Sequence, residues 1–297
     1  MDTRIGFVGV GAMGWPMAAN LIKAGFGLQI ADARPEQASK CAAATGAAVA
    51  ASLRALGEAS DVVITMLPTS KIVHSVLLDA DGVAAGLRPG AIVIDMSSGV
   101  PSMTAAMASR LAAQKVAMLD APVSGGVRKA LTGELAIMVG GDADVAQKVA
   151  PVFRAMGKSV IRAGGIGSGQ AMKALNNLVS AGGFLIGVEA LLIGKRFGLD
   201  PAVMVDILNA STGVNNSTQA KFKQFVLSGS FAAGFALDLM VKDIGIALDV
   251  AGDLDVNAPF SALCRKIWAA AQADLGPGRD HTELARFAAK TAGVSLS

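Results

Sequence analysis

The stretch IGFVGVGAMGWPMAANL, residues 5–21, decides the reading of the fold. An apolar run ends in Gly9-Val10-Gly11-Ala12-Met13-Gly14, and a helical apolar pattern follows directly. Glycines at this spacing allow a tight strand-to-helix turn and a close approach of ligand to backbone. The helix N-terminus adds unpaired N–H groups and the positive end of a dipole. In a chain with 35 glycines, G-x-G-x-x-G alone is a weak signal. It gains weight from a strand before it, a helix after it, and a second strand, LQIAD (28–32), that ends on Asp32. An acid there is placed to accept hydrogen bonds from the ribose hydroxyls of a dinucleotide.

Working outward, strand-like runs recur at DVVITML (61–67), AIVIDMS (91–97), KVAMLDA (115–121), LAIMVGG (135–141) and SVIRAG (159–164). They are short, bounded by Gly, Asp or Pro, and apolar on both faces, as buried parallel strands are. Their alternation with helical stretches implies βαβ crossovers and a doubly wound sheet. Past about residue 166 the strand signals stop. DPAVMVDILNA offers Asp200 as N-cap and Pro201 at the first helical position. DHTELARFAAK places Glu283 three residues after Asp280, a capping-box spacing. FALDLMVKDIGIALDVAG (235–252) sets apolar residues at 237, 241, 244, 248 and 250 along a helical face. The expected architecture is an α/β Rossmann-type N-terminal domain over 1–163 and an all-α domain over 164–297. A long helix from about 168 to 195 joins them. Gly182 and Gly183 fall in mid-helix, at a cost of about 1 kcal/mol each against Ala, and imply something packed closely there.

Composition bounds the function. The 297 residues are 53% hydrophobic and 16% charged, with a net charge of +3. That balance is too mild to argue for nucleic acid or a membrane surface. Cys41 and Cys264 lie far apart and in no metal-ligand spacing, so reduced thiols, a cytoplasmic location and no metal are expected. The N-terminal apolar run breaks at glycines and does not read as a signal peptide. Residues 176–198 approach the length of a membrane span, but Glu189 interrupts them and a buried helix is the expectation.

Hydride transfer to a carbonyl needs a proton donor beside the oxygen. The chain has no tyrosine, which excludes a Tyr–Lys pair, and two histidines, His74 and His281, for which surface or capping positions are expected. Lys173, in GSGQAMKALNN (167–177), is the best-placed proton carrier. Asn177 follows four residues later and so shares its helix face.

Taken in order, IGFVGVGAMGWPMAANL, VVITMLP, DMSS, DAPVSGG, IMVGG, GSGQAMKALNN and LMVKD cover nearly the whole chain. In these motifs the chain resembles the β-hydroxyacid dehydrogenase family. The resemblance implies an NAD(P)-dependent oxidoreductase that interconverts a small β-hydroxy acid and its semialdehyde or keto acid. It implies Lys173 as catalytic acid/base, Asn177 as a substrate ligand, and substrate contacts from Ser124, Gly125 and Gly126. Cofactor contacts are implied for Gly9, Gly11, Ala12, Met13, Gly14, Asp32, Met66, Leu67, Pro68, Ser97 and Lys242. The chemistry of the residues agrees: open glycine N–H groups and the Ser124 hydroxyl suit a carboxylate, and an ammonium stabilises a developing alkoxide. Each has a plainer alternative. Lys173 can serve an acid elsewhere, Lys242-Asp243 can be an exposed pair, and Ser124-Gly125-Gly126 can be a simple turn.

Asp32 is followed by Ala33 and only then Arg34, whereas family members that use NADP tend to carry an arginine directly after the second strand. NAD is therefore expected to be preferred, with NADP possible. Arg128 and Lys129 lean to surface roles, and Asn215 and Asn216 are candidates for the distal end of a substrate. A small hydroxy acid or semialdehyde is the expected partner. Alanine-rich helices point to a homodimer or homotetramer. The alternatives are a non-catalytic NAD-binding sensor, an imine reductase-like enzyme, for which Lys173 is unusual, and a sugar-acid dehydrogenase, for which the chain is short.

Overall fold

The computed structural model describes residues 3–296; Met1, Asp2 and Ser297, at the ends of the expected domain spans, lie outside the described residues. The chain divides into two compact units, Met1–Lys173 and Ala174–Ser297.

The described residues of the first unit form nine strands: β1 (Arg4–Val8), β2 (Gly27–Ala31), β3 (Ala48–Val49), β4 (Val62–Thr65), β5 (Ile92–Asp95), β6 (Ala117–Asp120), β7 (Val123–Ser124), β8 (Leu135–Gly140) and β9 (Gly157–Gly164). They form one sheet in the order β3-β2-β1-β4-β5-β6-β8-β7, with β9 paired to β8. The strands from β3 to β6 run parallel. Alternate residues explain why: Phe7, Ile64, Ile94 and Leu119 enter one buried cluster, while Val8, Val63, Val93 and Met118 enter another on the opposite face. Both faces are covered by helices, as a parallel sheet requires.

Two expectations about the sheet need correction. β8 runs antiparallel to β6 and to β7, so the sheet is not uniformly parallel. The chain turns at Pro122 into the two-residue strand β7, and the short helix Gly126–Thr132 then leads back into β8, antiparallel to both neighbours. β9 is mostly exposed rather than buried; among the described strands it pairs with β8 alone. The two-residue strands β3 and β7 carry too few residues for any periodicity to show.

The long helix spans Ser168–Phe197, close to its expected length. It is apolar and long enough to cross a membrane by composition, yet 56% of its most apolar window is buried inside the protein. The second unit is helical, with further helices at Pro201–Asn209, Asn216–Ala220, Leu237–Asp253, Pro259–Leu275 and Leu284–Ala292, and a π-helical turn at Phe222–Leu227. Phe184, Phe222 and Trp268 anchor its core. A Cβ on Gly182 would lie 3.2 Å from the Phe260 ring, the close packing expected at that glycine. A Cβ on Gly187 would lie 2.6 Å from the Phe222 ring, so that glycine is more confined still.

Asp200 caps its helix as expected, accepting from Ala202 N at 2.7 Å. The capping box at Asp280 does not form. Asp280 caps a single 3-10 turn, His281–Glu283, and Glu283 becomes the N-cap of the next helix, its carboxylate turned to Arg286 at 3.0 Å. His281 is neither exposed nor a cap. It is buried against Phe184 and Phe235, with Nδ1 3.1 Å from the Phe235 carbonyl.

Candidate active site

The glycine loop lies between β1 and the helix Gly14–Lys23. Gly9 has φ +97°, a region that disfavours side chains, and a Cβ there would strike the Met66 carbonyl. A Cβ on Gly14 would strike the Gly9 carbonyl. Gly11 differs: a Cβ there meets nothing within 4 Å. Packing therefore demands the first and third glycines, while the second keeps a space clear at a helix N-terminus, where unpaired N–H groups favour a phosphate. The residues present fit a dinucleotide. A cleft of about 390 Å³ opens beside the loop, lined by Gly11, Ala12, Trp15, Gln37, Val127 and Leu131.

Asp32 stands just past β2 with its carboxylate already engaged. It accepts from Val10 N at 2.9 Å and Arg34 N at 3.0 Å, and the Arg34 guanidinium lies 3.6 Å away. Arg34 thus turns back toward Asp32. Met66 and Leu67 follow β4, and Leu67 N donates to Ser97 Oγ at 2.9 Å, which ties the two segments together.

Beneath these segments lies a buried polar network that sequence reasoning missed. Asp95 and Asp120 end adjacent strands, and both are fully buried. Asp95 accepts from Thr65 Oγ1 at 2.8 Å, Ser97 N at 3.0 Å and Gln170 Nε2 at 3.3 Å. Gln170 also donates to the Ser97 carbonyl at 2.9 Å and accepts from Gly99 N at 2.7 Å. Asp120 accepts from Gly167 N at 2.7 Å and Gln170 N at 2.8 Å. Burial pushes the Asp95 carboxyl up to about 6, against the hydrogen bonds of Ser97 and Thr65, and raises Asp120 as well. The two acids fix the start of the long helix to the sheet. Lys173 follows Gln170 by three residues and is half-buried. The signal was present in DMSS, LDAP and GSGQ, but single polar residues within apolar strands give no periodic clue.

Ser124 closes β7, and Gly125 and Gly126 follow at φ +131° and +66°. A Cβ at Gly125 would press on the Lys129 side chain at 2.7 Å, whereas Gly126 faces open space. Arg128 and Lys129 are exposed.

In the second unit, Asn177 is buried and donates through Nδ2 to Asp243 Oδ2 at 2.6 Å. Asn176 Nδ2 in turn donates to Asn177 Oδ1 at 3.1 Å. Asp243 is buried and lies 3.4 Å from Lys242 Nζ, so Lys242-Asp243 is not an exposed pair. The structure thus groups Asn177, Lys242 and Asp243. Asn215 is a structural cap: Oδ1 accepts from Ser217 N and Thr218 N, and Nδ2 donates to the Gly183 carbonyl. Both ends of its amide are thus engaged within the second unit. Asn216 is exposed.

A dinucleotide loop, a long helix bearing a lysine and an asparagine on one face, and a helical second unit define an NAD(P)-dependent oxidoreductase. Residues 4–165 match the NAD-binding domain of 6-phosphogluconate dehydrogenase, and residues 167–288 match the NAD-binding region of NADP-dependent 3-hydroxyisobutyrate dehydrogenase. The chain is 37% identical to 2-(hydroxymethyl)glutarate dehydrogenase of Eubacterium barkeri, over 99% of this chain and 97% of the relative. It is 39% identical to 3-hydroxyisobutyrate dehydrogenase of Pseudomonas aeruginosa, over 92% and 93%. Its fold superimposes on Mycobacterium tuberculosis 3-hydroxyisobutyrate dehydrogenase, solved with L-serine, with a TM-score of 0.89 and 34% identity, covering 97% of this chain and 99% of that one. The chain belongs to the β-hydroxyacid dehydrogenase family.

Proposed function

We propose that the enzyme interconverts a small β-hydroxy acid and its semialdehyde or keto acid, with Lys173 as acid/base and NAD preferred over NADP. The observation that carries this reading is the placement of Lys173 and Asn177 on one face of a helix whose start is clamped by Asp120 and Gln170. The names of the two relatives, both dehydrogenases of β-hydroxy acids, support it.

A bound nicotinamide supplies the hydride acceptor or donor for the substrate carbon. The protein supplies the rest. In oxidation, neutral Lys173 takes the hydroxyl proton as the C–H bond gives up its hydride; in reduction, the ammonium returns a proton to the developing alkoxide. Asp243 fixes the Asn177 amide with its nitrogen as donor, so the remaining Nδ2 hydrogen suits a substrate oxygen. Ser124 and the N–H groups of Gly125 and Gly126 take the carboxylate.

The preference for NAD is supported by Asp32, whose charge opposes a 2′-phosphate, and by Arg34, whose guanidinium is turned toward Asp32. Met172, Val179, Ile186 and Ile193 recur every seven residues as an exposed apolar row on the long helix, which supports a homodimer or homotetramer. We place the enzyme in the cytoplasm, with neither a membrane nor nucleic acid as partner; the mild net charge supports this. The decisive experiment follows nicotinamide absorbance with a panel of small hydroxy acids and aldehydes. Turnover of β-hydroxy acids is expected. Tight cofactor binding with no turnover would instead favour a sensor. A monomeric mass at micromolar concentration would overturn the oligomer.

A further inference from the structure

Lys221 does not belong to any motif discussed so far, and its setting is unusual for a lysine. It ends the short helix Asn216–Ala220 and precedes the π-helical turn Phe222–Leu227. Such turns are rare and recur at functional sites. Both flanks hold it: the Asn215–Thr218 capping box on one side and fully buried Phe222 on the other. The side chain is half-buried. Nζ donates to Ser180 Oγ at 3.2 Å and lies 5.9 Å from the centre of the Phe184 ring. Among the described residues its hydrogen-bond partner is one hydroxyl, which leaves two of three ammonium donors for a ligand. The carboxylate whose charge acts on it, Asp280, is already committed to the N–H groups of Gly234, Phe235 and Thr282. Burial lowers the Lys221 ammonium to about 8, with Asp280 opposing the shift.

Its place on the long helix gives the cation a meaning. At 100° per residue, positions 173, 177, 180 and 184 fall within about 60° of one another. Ser180 lies three residues beyond Asn177, a rise of about 4.5 Å. The Lys221 ammonium therefore rests on the same helix face as Lys173 and Asn177, about one turn past the asparagine. A half-buried cation with no ion pair among the described residues is costly unless a ligand repays it.

We propose that Lys221 binds a second carboxylate on the substrate, and that the enzyme selects short hydroxy dicarboxylic acids over their monocarboxylic counterparts. The inference rests on the proposed dehydrogenase reading and narrows its substrate class. The cation specifies an anion, and the single helical turn between it and Asn177 specifies a short carbon chain.

The test compares 3-hydroxyisobutyrate with 2-(hydroxymethyl)glutarate, the same hydroxy acid with a carboxylate at the end of a longer side chain. Wild-type enzyme is expected to favour the diacid in kcat/KM by roughly 10- to 100-fold, the worth of a hydrogen bond to a charged group. Lys221→Met, which keeps the aliphatic stem, should collapse that ratio mainly through KM for the diacid. Lys221→Arg should restore part of it. Equal use of both acids by wild type, or an unchanged ratio in Lys221→Met, overturns the inference and leaves the dehydrogenase reading standing. Turnover of neither acid, nor of any other β-hydroxy acid, overturns the dehydrogenase reading itself. If Lys221→Met fails to fold, the wild-type ratio and Lys221→Arg decide.

Discussion

The carboxylate of Asp120 holds the backbone N–H of Gln170 at 2.8 Å, and through it the first turn of the helix that carries Lys173. Asp120→Ala would leave the N–H groups of Gly167 and Gln170 buried without an acceptor. Each orphaned donor costs about 1–3 kcal/mol. Urea unfolding should show a loss of about 2–5 kcal/mol, and Asp120→Asn, which keeps an acceptor oxygen, should lose less. A change smaller than the scatter of the measurement would mean that the cap is unimportant.

Lys173→Ala should lower kcat by roughly 10²–10⁴-fold, the usual range for losing a positioned acid or base. Cofactor affinity, read by fluorescence titration, should barely move. In the wild type, oxidation should gain and reduction lose as pH rises, because one needs the amine and the other the ammonium. Near-normal turnover in the variant would remove Lys173 from the mechanism.

The glycine loop separates folding from binding. Gly14→Ala drives a methyl into the Gly9 carbonyl and should destabilise the protein by about 1–3 kcal/mol. Gly11→Ala enters open space, so the melting temperature should hold while the cofactor Kd rises at least tenfold. Equal effects of both substitutions on stability would contradict this division.

Asp32→Ser with Ala33→Arg should shift the ratio of kcat/KM toward NADP. The serine keeps an acceptor for Val10 N while removing the charge that opposes a 2′-phosphate. A wild-type enzyme already faster with NADP would show that Arg34 outweighs Asp32.

The Asp95 carboxyl, raised by burial from 3.8 to about 6, ties stability to pH. The folded state holds this proton more tightly than the unfolded chain. The stabilising contribution is therefore fully present below about pH 4 and is lost as pH rises through about 6. Each pKa unit is worth about 1.4 kcal/mol, so about 3 kcal/mol is at stake. Asp95→Asn cannot ionise, and its stability should fall less than that of the wild type between pH 4 and 6. Parallel profiles for the two proteins would show that Asp95 does not titrate in this range.

The sequence disclosed the repeating layers because burial on both faces leaves unbroken apolar runs, as in β1, β4 and β5. It disclosed the helical second half because Asp200 and the 237–248 pattern are local signals. The reversal of β8 was hidden, since direction depends on the turn through Pro122 and β7, and not on the apolar content of the strand. His281 was misread for a related reason: a polar residue after a cap looks exposed until its aromatic neighbours, Phe184 and Phe235, are brought to it from elsewhere in the chain. The network of Thr65, Asp95, Asp120 and Gln170 was hidden too, because its partners lie 30 to 75 residues apart. Asp243 was visible beside Lys242, but its bond to Asn177 joins residues 66 apart in the chain.

The glycine loop also bears on how descendants of such a chain would be read. Packing against Met66 and Gly9 would preserve Gly9 and Gly14 in a lineage that had abandoned its cofactor, since the strand-to-helix turn would still need them. Only Gly11 would be released to drift. A homologue that retains both outer glycines but carries a bulky residue at the middle position has kept the scaffold and relinquished the ligand.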